Sequence, residues 1–413
     1  MPTPLKVVAG KGTRIRLADG RSLLDCISSW WVNLYGHGHP RIAEAIHAQA
    51  QELEHVIFAG FTHEPAERVA ESLTRLLPGR LSRVFFSDDG STAVEVALKM
   101  AYQYWVNRGE KRPTFIGFEG GYHGDTVGAM SVGAPSTFSG MFSDLLFEVE
   151  HLPFPETWIG DEGVAEREDA VLQALEARLA ASDRPVAGII IEPLVQGAGG
   201  MRMCREEFLQ GLRRVSEQAG TLLIFDEVMT GFGRTGERFA CERAGVEPDL
   251  ICLAKGLTGG FLPMAVTVAS SDIYDAFVSA DPEKTFWHGH SYTANPIGCA
   301  AALASFELLA ESESAFRGME QHHREFLGRL DPAITERPRV TGTIVAFEIR
   351  TDGTGGYFDR VGDELKKRAI QKGLLLRPLG NTVYLMPPYC LTDDERSEMY
   401  DGVAELVREV TGG

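Results

Sequence analysis

Through the middle of the chain, short apolar runs alternate with stretches whose apolar residues recur three and four positions apart. That is the pattern of a sheet flanked by helices. The runs Arg83-Val-Phe-Phe-Ser87, Phe115–Phe118, Ala187–Ile191, Thr221–Phe225, Leu250–Ala254 and Met264–Ala269 predict strands. Most are apolar at successive positions, as expected for strands covered on both faces. Between the first two, Ala93, Val96, Ala97, Met100, Ala101, Tyr104 and Trp105 keep helical spacing and predict one long helix with a buried stripe. The Pro- and acid-rich stretch from His151 to Asp169 predicts a surface connection.

Beyond about Ala304 the texture changes to long helices. These are followed by Ile344–Ile349, a Gly-rich loop at Asp352–Gly356 and Thr382–Met386. This predicts a smaller α+β domain. Two short strands near the start, Thr13–Leu17 and Ser22–Asp25, are expected to pack with it. The expected division is a large domain over 45–304 and a small one built from 1–44 and 305–413.

Composition narrows the function. With 413 residues, 44% hydrophobic and 24% charged, the chain has the make-up of a globular protein with a large core. Its net charge of −18 gives no electrostatic support for nucleic acid. No apolar run reaches the ~18 residues of a membrane span. The six cysteines form no Cys-x-x-Cys pair, and Met1-Pro-Thr-Pro-Leu-Lys6 lacks a hydrophobic signal region. Both predict a reduced, cytoplasmic setting.

Candidate chemistry collects where predicted strands end, the usual ligand edge of an open α/β sheet. Ser87-Asp-Asp-Gly-Ser-Thr92 joins a strand to the long helix. Gly90 permits close approach, and the N–H of Ser91 opens the helix, which makes a phosphate seat. A plain N-capped helix has the same sequence signature. Asp226 ends an apolar strand and must find a partner. Lys255 is the one lysine that closes a predicted core strand, and an apolar setting would make it a nucleophile. Gly231-Phe-Gly-Arg-Thr-Gly236 matches the dinucleotide fingerprint literally, but no acidic strand end follows about 20 residues on. A phosphate seat, a strand-end Asp and a strand-end Lys together suggest pyridoxal 5′-phosphate, with Tyr122 available at its ring face. His288 and His290 lack a nearby acidic or thiol ligand, so no metal is expected.

These residues lie in motifs that carry a family resemblance. Gly121-Tyr-His-Gly-Asp-Thr126, Ile191-Glu-Pro-Leu-Val-Gln-Gly-Ala-Gly-Gly200, Asp226-Glu-Val228, Gly231–Gly236 and Lys255-Gly-Leu-Thr-Gly-Gly260 resemble those of class III pyridoxal-phosphate aminotransferases. The resemblance runs over nearly the whole chain and implies the type I, aspartate aminotransferase-like fold. It also implies that Lys255 carries the cofactor and shuttles the proton, and that Asp226 pairs with the pyridine nitrogen. Tyr122 and Val228 would cover the ring faces, and Gly90 and Ser91 would bind phosphate. Ser291 would reach the phosphate of a partner subunit, making the active unit a homodimer.

Ser28-Ser-Trp-Trp31 and Leu376-Arg-Pro-Leu-Gly380 are similar to the branch that makes 7,8-diaminopelargonate from 7-keto-8-aminopelargonate in biotin biosynthesis. That likeness implies Trp30 and Trp31 along an apolar substrate chain, and Arg377 on its carboxylate. Gly289 would lie beside substrate, with Arg234 and Glu192 in supporting positions. S-adenosylmethionine is the expected amino donor. The Trp287–Thr293 loop and Gly260-Phe-Leu-Pro-Met264 leave lysine as the alternative. The sequence starts after a His-Pro-Tyr-Thr-like segment usual in the family, so that substrate contact is expected to be missing or supplied otherwise.

Three other readings are weighed against this one: a further ω-aminotransferase acting on a diamine or β-amino acid, a nicotinamide-dependent oxidoreductase, and a non-catalytic relative. The first is distinguished by whether Trp30, Trp31 and Arg377 share one cavity beside the cofactor.

Overall fold

The computed structural model describes residues 4–135, 140–181, 184–351 and 360–412. Its centre is a seven-stranded sheet. In spatial order the strands are Leu81–Ser87, Ala265–Ser270, Leu250–Leu253, Leu222–Asp226, Val186–Ile191, Thr114–Phe118 and Glu150–Leu152. Ala265–Ser270 runs antiparallel to both neighbours, and the remaining pairs are parallel. The sheet is therefore mixed and mostly parallel, as the type I fold implies.

The central strands read as unbroken apolar runs because both faces are covered. Leu222 and Ile224 pack with Ala93, Ala97 and Ala101 of the helix Gly90–Asn107. Leu223 and Phe225 face the opposite core with Phe208, Leu212 and Val215 of the helix Glu206–Gln218. Burial of this kind contributes about 25 cal/mol per Å2 of apolar surface removed from water.

Near the start, the strand Ser22–Asp25 pairs in parallel with Leu374–Leu375. Leu24 and Cys26 join a second core with Phe347, Leu385, Met399 and Val403. A three-stranded antiparallel sheet, Thr335–Thr341, Ile344–Ile349 and Thr382–Leu385, lies over that core.

One expectation is corrected, and one strand is new. The stretch from His151 to Asp169 is not wholly a connection. Residues 150–152 form the sheet's edge strand, and the helix Val164–Ala180 begins inside it. Its prolines cluster at 153 and 155, between these two elements. The strand Thr335–Thr341 was not foreseen. Pro338 sits at its register shift, where a missing N–H is tolerated. The Gly-rich loop at 352–356 lies outside the described residues.

Candidate active site

The parallel strands end on one side of the sheet, and the cavity sits there, as expected for this architecture. It holds about 470 Å3 and is lined by Gly90, Ser91, Tyr122, Asp226, Val228 and Lys255, with Trp31 and Glu192 also at its wall. Six of the sequence-derived candidates for the cofactor thus share one cavity.

Each is placed by its element. Asp226 is the last residue of the strand Leu222–Asp226 and pairs in register with Cys252, three residues before Lys255. Lys255 follows the adjacent strand with φ 41°, a left-handed value that a non-glycine residue adopts only under constraint. Its amine stands 4.9 Å from the centroid of the Trp31 ring. Burial pushes the Lys255 pKa down, and Asp226 and Glu192 only partly oppose this.

Asp226 accepts from the Val228 backbone N–H at 3.1 Å through Oδ1, and Oδ2 lies 2.7 Å from His123 Nδ1. Burial alone would lower the His123 pKa. The hydrogen bond and charge of Asp226 outweigh it and hold the imidazole above its ordinary value. Glu192 accepts from the N–H groups of Tyr122 and Gly197, both at 3.0 Å. Burial pushes its pKa up to about 7, against the charge of His123.

At the start of the helix Gly90–Asn107, Asp89 and Thr92 cap each other. The plain-cap reading of this segment is therefore correct as far as it goes. The N–H groups of Gly90 and Ser91 still belong to the first turn, which has no intrahelical acceptors. A Cβ at Gly90 would come within 2.6 Å of Val228 Cγ1, so only glycine lets the helix start lie against that side chain. Asp125 N–H donates to Ser91 Oγ at 3.2 Å, tying the Tyr122 turn to the same helix start. An open helix start, an amine of lowered pKa and a buried carboxylate around one cavity fit pyridoxal 5′-phosphate.

The other candidates lie elsewhere. Trp31 is 5% exposed and Trp30 58%. They point apart because they sit on a kinked turn, with Ser29 and Trp30 outside helical geometry. The Arg377 guanidinium covers the Trp30 ring at 3.8 Å, and neither residue is in the cavity lining. Arg234 is fully buried and donates to Pro387 O at 3.1 Å and Trp31 O at 3.4 Å, behind the cavity wall. Gly289 and Ser291 are on an exposed loop, whose His290 approaches Asp88 at 3.3 Å. Among the described residues no cluster of metal-ligating side chains occurs.

His123 went unassigned in the sequence, although it follows Tyr122 directly. The signal was available: a buried strand-end carboxylate requires a partner, and this histidine is it. Thr230 and the segment Gly260–Met264 also line the cavity.

With this arrangement in view, the chain matches the family described as Aminotransferase class-III over residues 1–407, and it belongs to that family. Among curated proteins it is 61% identical to the adenosylmethionine-8-amino-7-oxononanoate aminotransferase of Synechococcus elongatus, over 99% of this chain and 96% of that one. It is 40% identical to the protein of the same name from Geobacter sulfurreducens, over 99% and 93%. Among solved structures, the adenosylmethionine-8-amino-7-oxononanoate aminotransferase of Methanocaldococcus jannaschii superposes with a TM-score of 0.89 at 34% identity, covering 99% of this chain and 94% of that one. A pyridoxal-phosphate-bound amine transaminase from an uncultivated Pseudomonas species gives 0.91 at 33% identity, covering 99% and 95%.

Proposed function

We propose that this protein is a pyridoxal-phosphate-dependent aminotransferase that converts 7-keto-8-aminopelargonate to 7,8-diaminopelargonate in biotin biosynthesis, with S-adenosylmethionine as amino donor. The observation that carries the chemistry is the placement of Lys255 and Asp226 at the ends of adjacent parallel strands, lining one cavity. The substrate assignment is supported by the 61% identity to the Synechococcus elongatus protein along almost the full chain.

When bound, the cofactor supplies an electron sink and a carrier for the amino group. Lys255, with its proton affinity lowered by burial, is the group that binds it and then moves a proton between donor carbon and cofactor. Asp226, with His123 at its Oδ2, would hold the ring nitrogen. Gly90 and Ser91 would take the phosphate, with Ser291 of a partner subunit completing that seat. Tyr122 and Val228 would hold the ring between them. Trp31 and Trp30 line the apolar substrate chain, Arg377 pairs with its carboxylate, and Arg234 and Gly289 support the substrate side.

The reading includes a homodimer with active sites at the subunit interface. The exposure of Trp287 and Tyr292 on either side of Ser291 supports it. It also includes a large domain over 45–304 with the termini forming a small one, and a cytoplasmic location. No helix among the described residues is long and apolar enough to cross a membrane.

The test is product analysis by mass spectrometry after incubation with cofactor, donor and 7-keto-8-aminopelargonate. Formation of 7,8-diaminopelargonate, lost in Lys255→Ala, supports the assignment. Amination of diamine-derived or β-amino acid-derived substrates alone would move the protein to another ω-aminotransferase function.

A further inference from the structure

The turn that carries the two tryptophans is held by an unusual network. Ser28, Ser29 and Trp31 have φ values of 50°, 59° and 67°, although none is glycine. Left-handed backbone at three of four positions costs free energy, and persists only where the surroundings over-determine it.

Those surroundings centre on Asp25, which is fully buried at the end of the strand Ser22–Asp25. Its Oδ1 accepts from the N–H groups of Ile27 at 3.2 Å and Ser29 at 2.9 Å. Its Oδ2 accepts from Ser29 N–H at 2.7 Å, from Ser29 Oγ at 3.1 Å and from His37 Nε2 at 2.9 Å. Among the described residues, every donor to this carboxylate is thus on Ile27, Ser29 or His37. A buried carboxylate with this many donors is stable as an acceptor, where a neutral amide would not be.

His37 is itself fixed. Its backbone exchanges hydrogen bonds with Gly12, at 2.7 and 3.0 Å. The preceding Gly36 has φ 80°, and a Cβ there would meet Gly12 O at 2.6 Å. The far side of the turn is pinned too. Ser28 Oγ donates to Met386 O at 2.8 Å, and Trp31 Nε1 donates to Tyr384 Oη at 3.0 Å. The result sets the Trp31 ring beside the Lys255 amine and leaves Trp30 under Arg377.

We propose that Asp25, held by His37, is a positioning residue for substrate: it keeps the Ser28–Trp31 turn in its left-handed form, and through it the Trp31 ring at the cavity wall, in place for an apolar substrate chain. The nature of that substrate rests on the function proposed above, and the turn's dependence on Asp25 does not.

The test uses Asp25→Asn, which turns one acceptor oxygen into a donor facing the Ser29 and His37 N–H groups, with His37→Ala and His37→Gln. The first readout is hydrogen–deuterium exchange of the apoprotein over residues 27–33. Asp25→Asn is expected to speed exchange there at least tenfold, with the helix Gly90–Asn107 unchanged. The second readout is steady-state kinetics of the full chain with cofactor. The KM for 7-keto-8-aminopelargonate is expected to rise about tenfold, with kcat and the visible cofactor band within twofold. His37→Ala should move both readouts in the same direction, and His37→Gln, which keeps a donor, should restore them.

Unchanged exchange over 27–33 overturns the proposal. So does a fall in kcat together with loss of the cofactor band, which marks general damage, or a His37→Gln variant as impaired as His37→Ala. If Asp25→Asn does not fold, the His37 pair decides by the same criteria. If wild-type protein does not turn over this ketone at all, the proposed function fails, and the exchange result still decides the role of Asp25.

Discussion

His123 Nδ1 lies 2.7 Å from Asp226 Oδ2, and both side chains are buried beneath the cavity that Lys255 overlooks. The pair raises the histidine pKa against the pull of burial, so the imidazole holds its proton to higher pH than a lone buried histidine would. The carboxylate's other oxygen accepts from Val228 N–H. His123 therefore orients Asp226 and fixes its charge environment.

His123→Gln preserves a donor but removes the titratable charge. The expected outcome is a kcat lowered about 10- to 100-fold, the range found when outer partners of metal-binding groups are removed. Cofactor retention should be nearly unchanged. The sign of the pH dependence follows from the raised pKa. The stability contributed by the protonated pair is fully present below histidine's ordinary 6.5, and it is lost as pH rises through the higher folded value. Steady-state kinetics of the variant and pH-dependent denaturation of both proteins check the two parts.

Gly90→Ala separates folding from cofactor binding. A Cβ at this position would lie 2.6 Å from Val228 Cγ1. Valine is short and stiff at χ1, so the helix start has to shift. Replacing a helical glycine ordinarily favours the fold by about 0.5–1 kcal/mol, which offsets part of the strain. The apoprotein should keep its stability within about 1 kcal/mol. Cofactor affinity should fall at least tenfold, read by absorbance titration with pyridoxal 5′-phosphate.

His323 makes a prediction about acid stability. It is fully buried, with Nε2 3.1 Å from Thr343 O and Nδ1 2.8 Å from Tyr400 Oη. Both contacts are satisfied by the neutral ring. Burial lowers its pKa from 6.5 to about 4. Its stability contribution is therefore complete above pH 6.5 and is lost as pH falls toward 4. The loss amounts to about 3 kcal/mol at 1.36 kcal/mol per pH unit. In His323→Gln the decline between pH 7 and pH 4 should be smaller by about that amount, measured by denaturant unfolding of the apoproteins. Glu192 and Glu227, both pushed up to about 7 by burial, act with the opposite sign but are common to the two proteins.

Much of this is legible in the chain itself. Thr221–Phe225 reads as a strand because both its faces are covered, and the acid that ends it had to lie at the ligand edge. Lys255 stood out by the same reasoning. What the residues conceal is long-range. Nothing local in Ser28-Ser-Trp-Trp31 signals a left-handed turn, since neither glycine nor asparagine occurs there. The turn exists because Asp25 and His37 meet it in space. Pro338 hides the strand Thr335–Thr341 for a similar reason, because its pairing depends on the bulge against Ile344–Ile349. Among the substrate-side candidates, Trp31 and Glu192 line the cavity, and Trp30, Arg234, Gly289 and Arg377 do not. The sharing of one cavity by Trp30, Trp31 and Arg377, posed from the sequence as the mark of the biotin-pathway branch, is not seen in the single chain. That assignment rests on the relatives.

The most direct test of the account is a visible absorbance titration of the purified protein with pyridoxal 5′-phosphate, S-adenosylmethionine and lysine. The account predicts a cofactor band that is absent in Lys255→Ala, is bleached by S-adenosylmethionine and returns when 7-keto-8-aminopelargonate is added. Bleaching by lysine in its place would keep the acceptor and change the donor. A protein that forms no Lys255-dependent band after reconstitution would contradict the central claim.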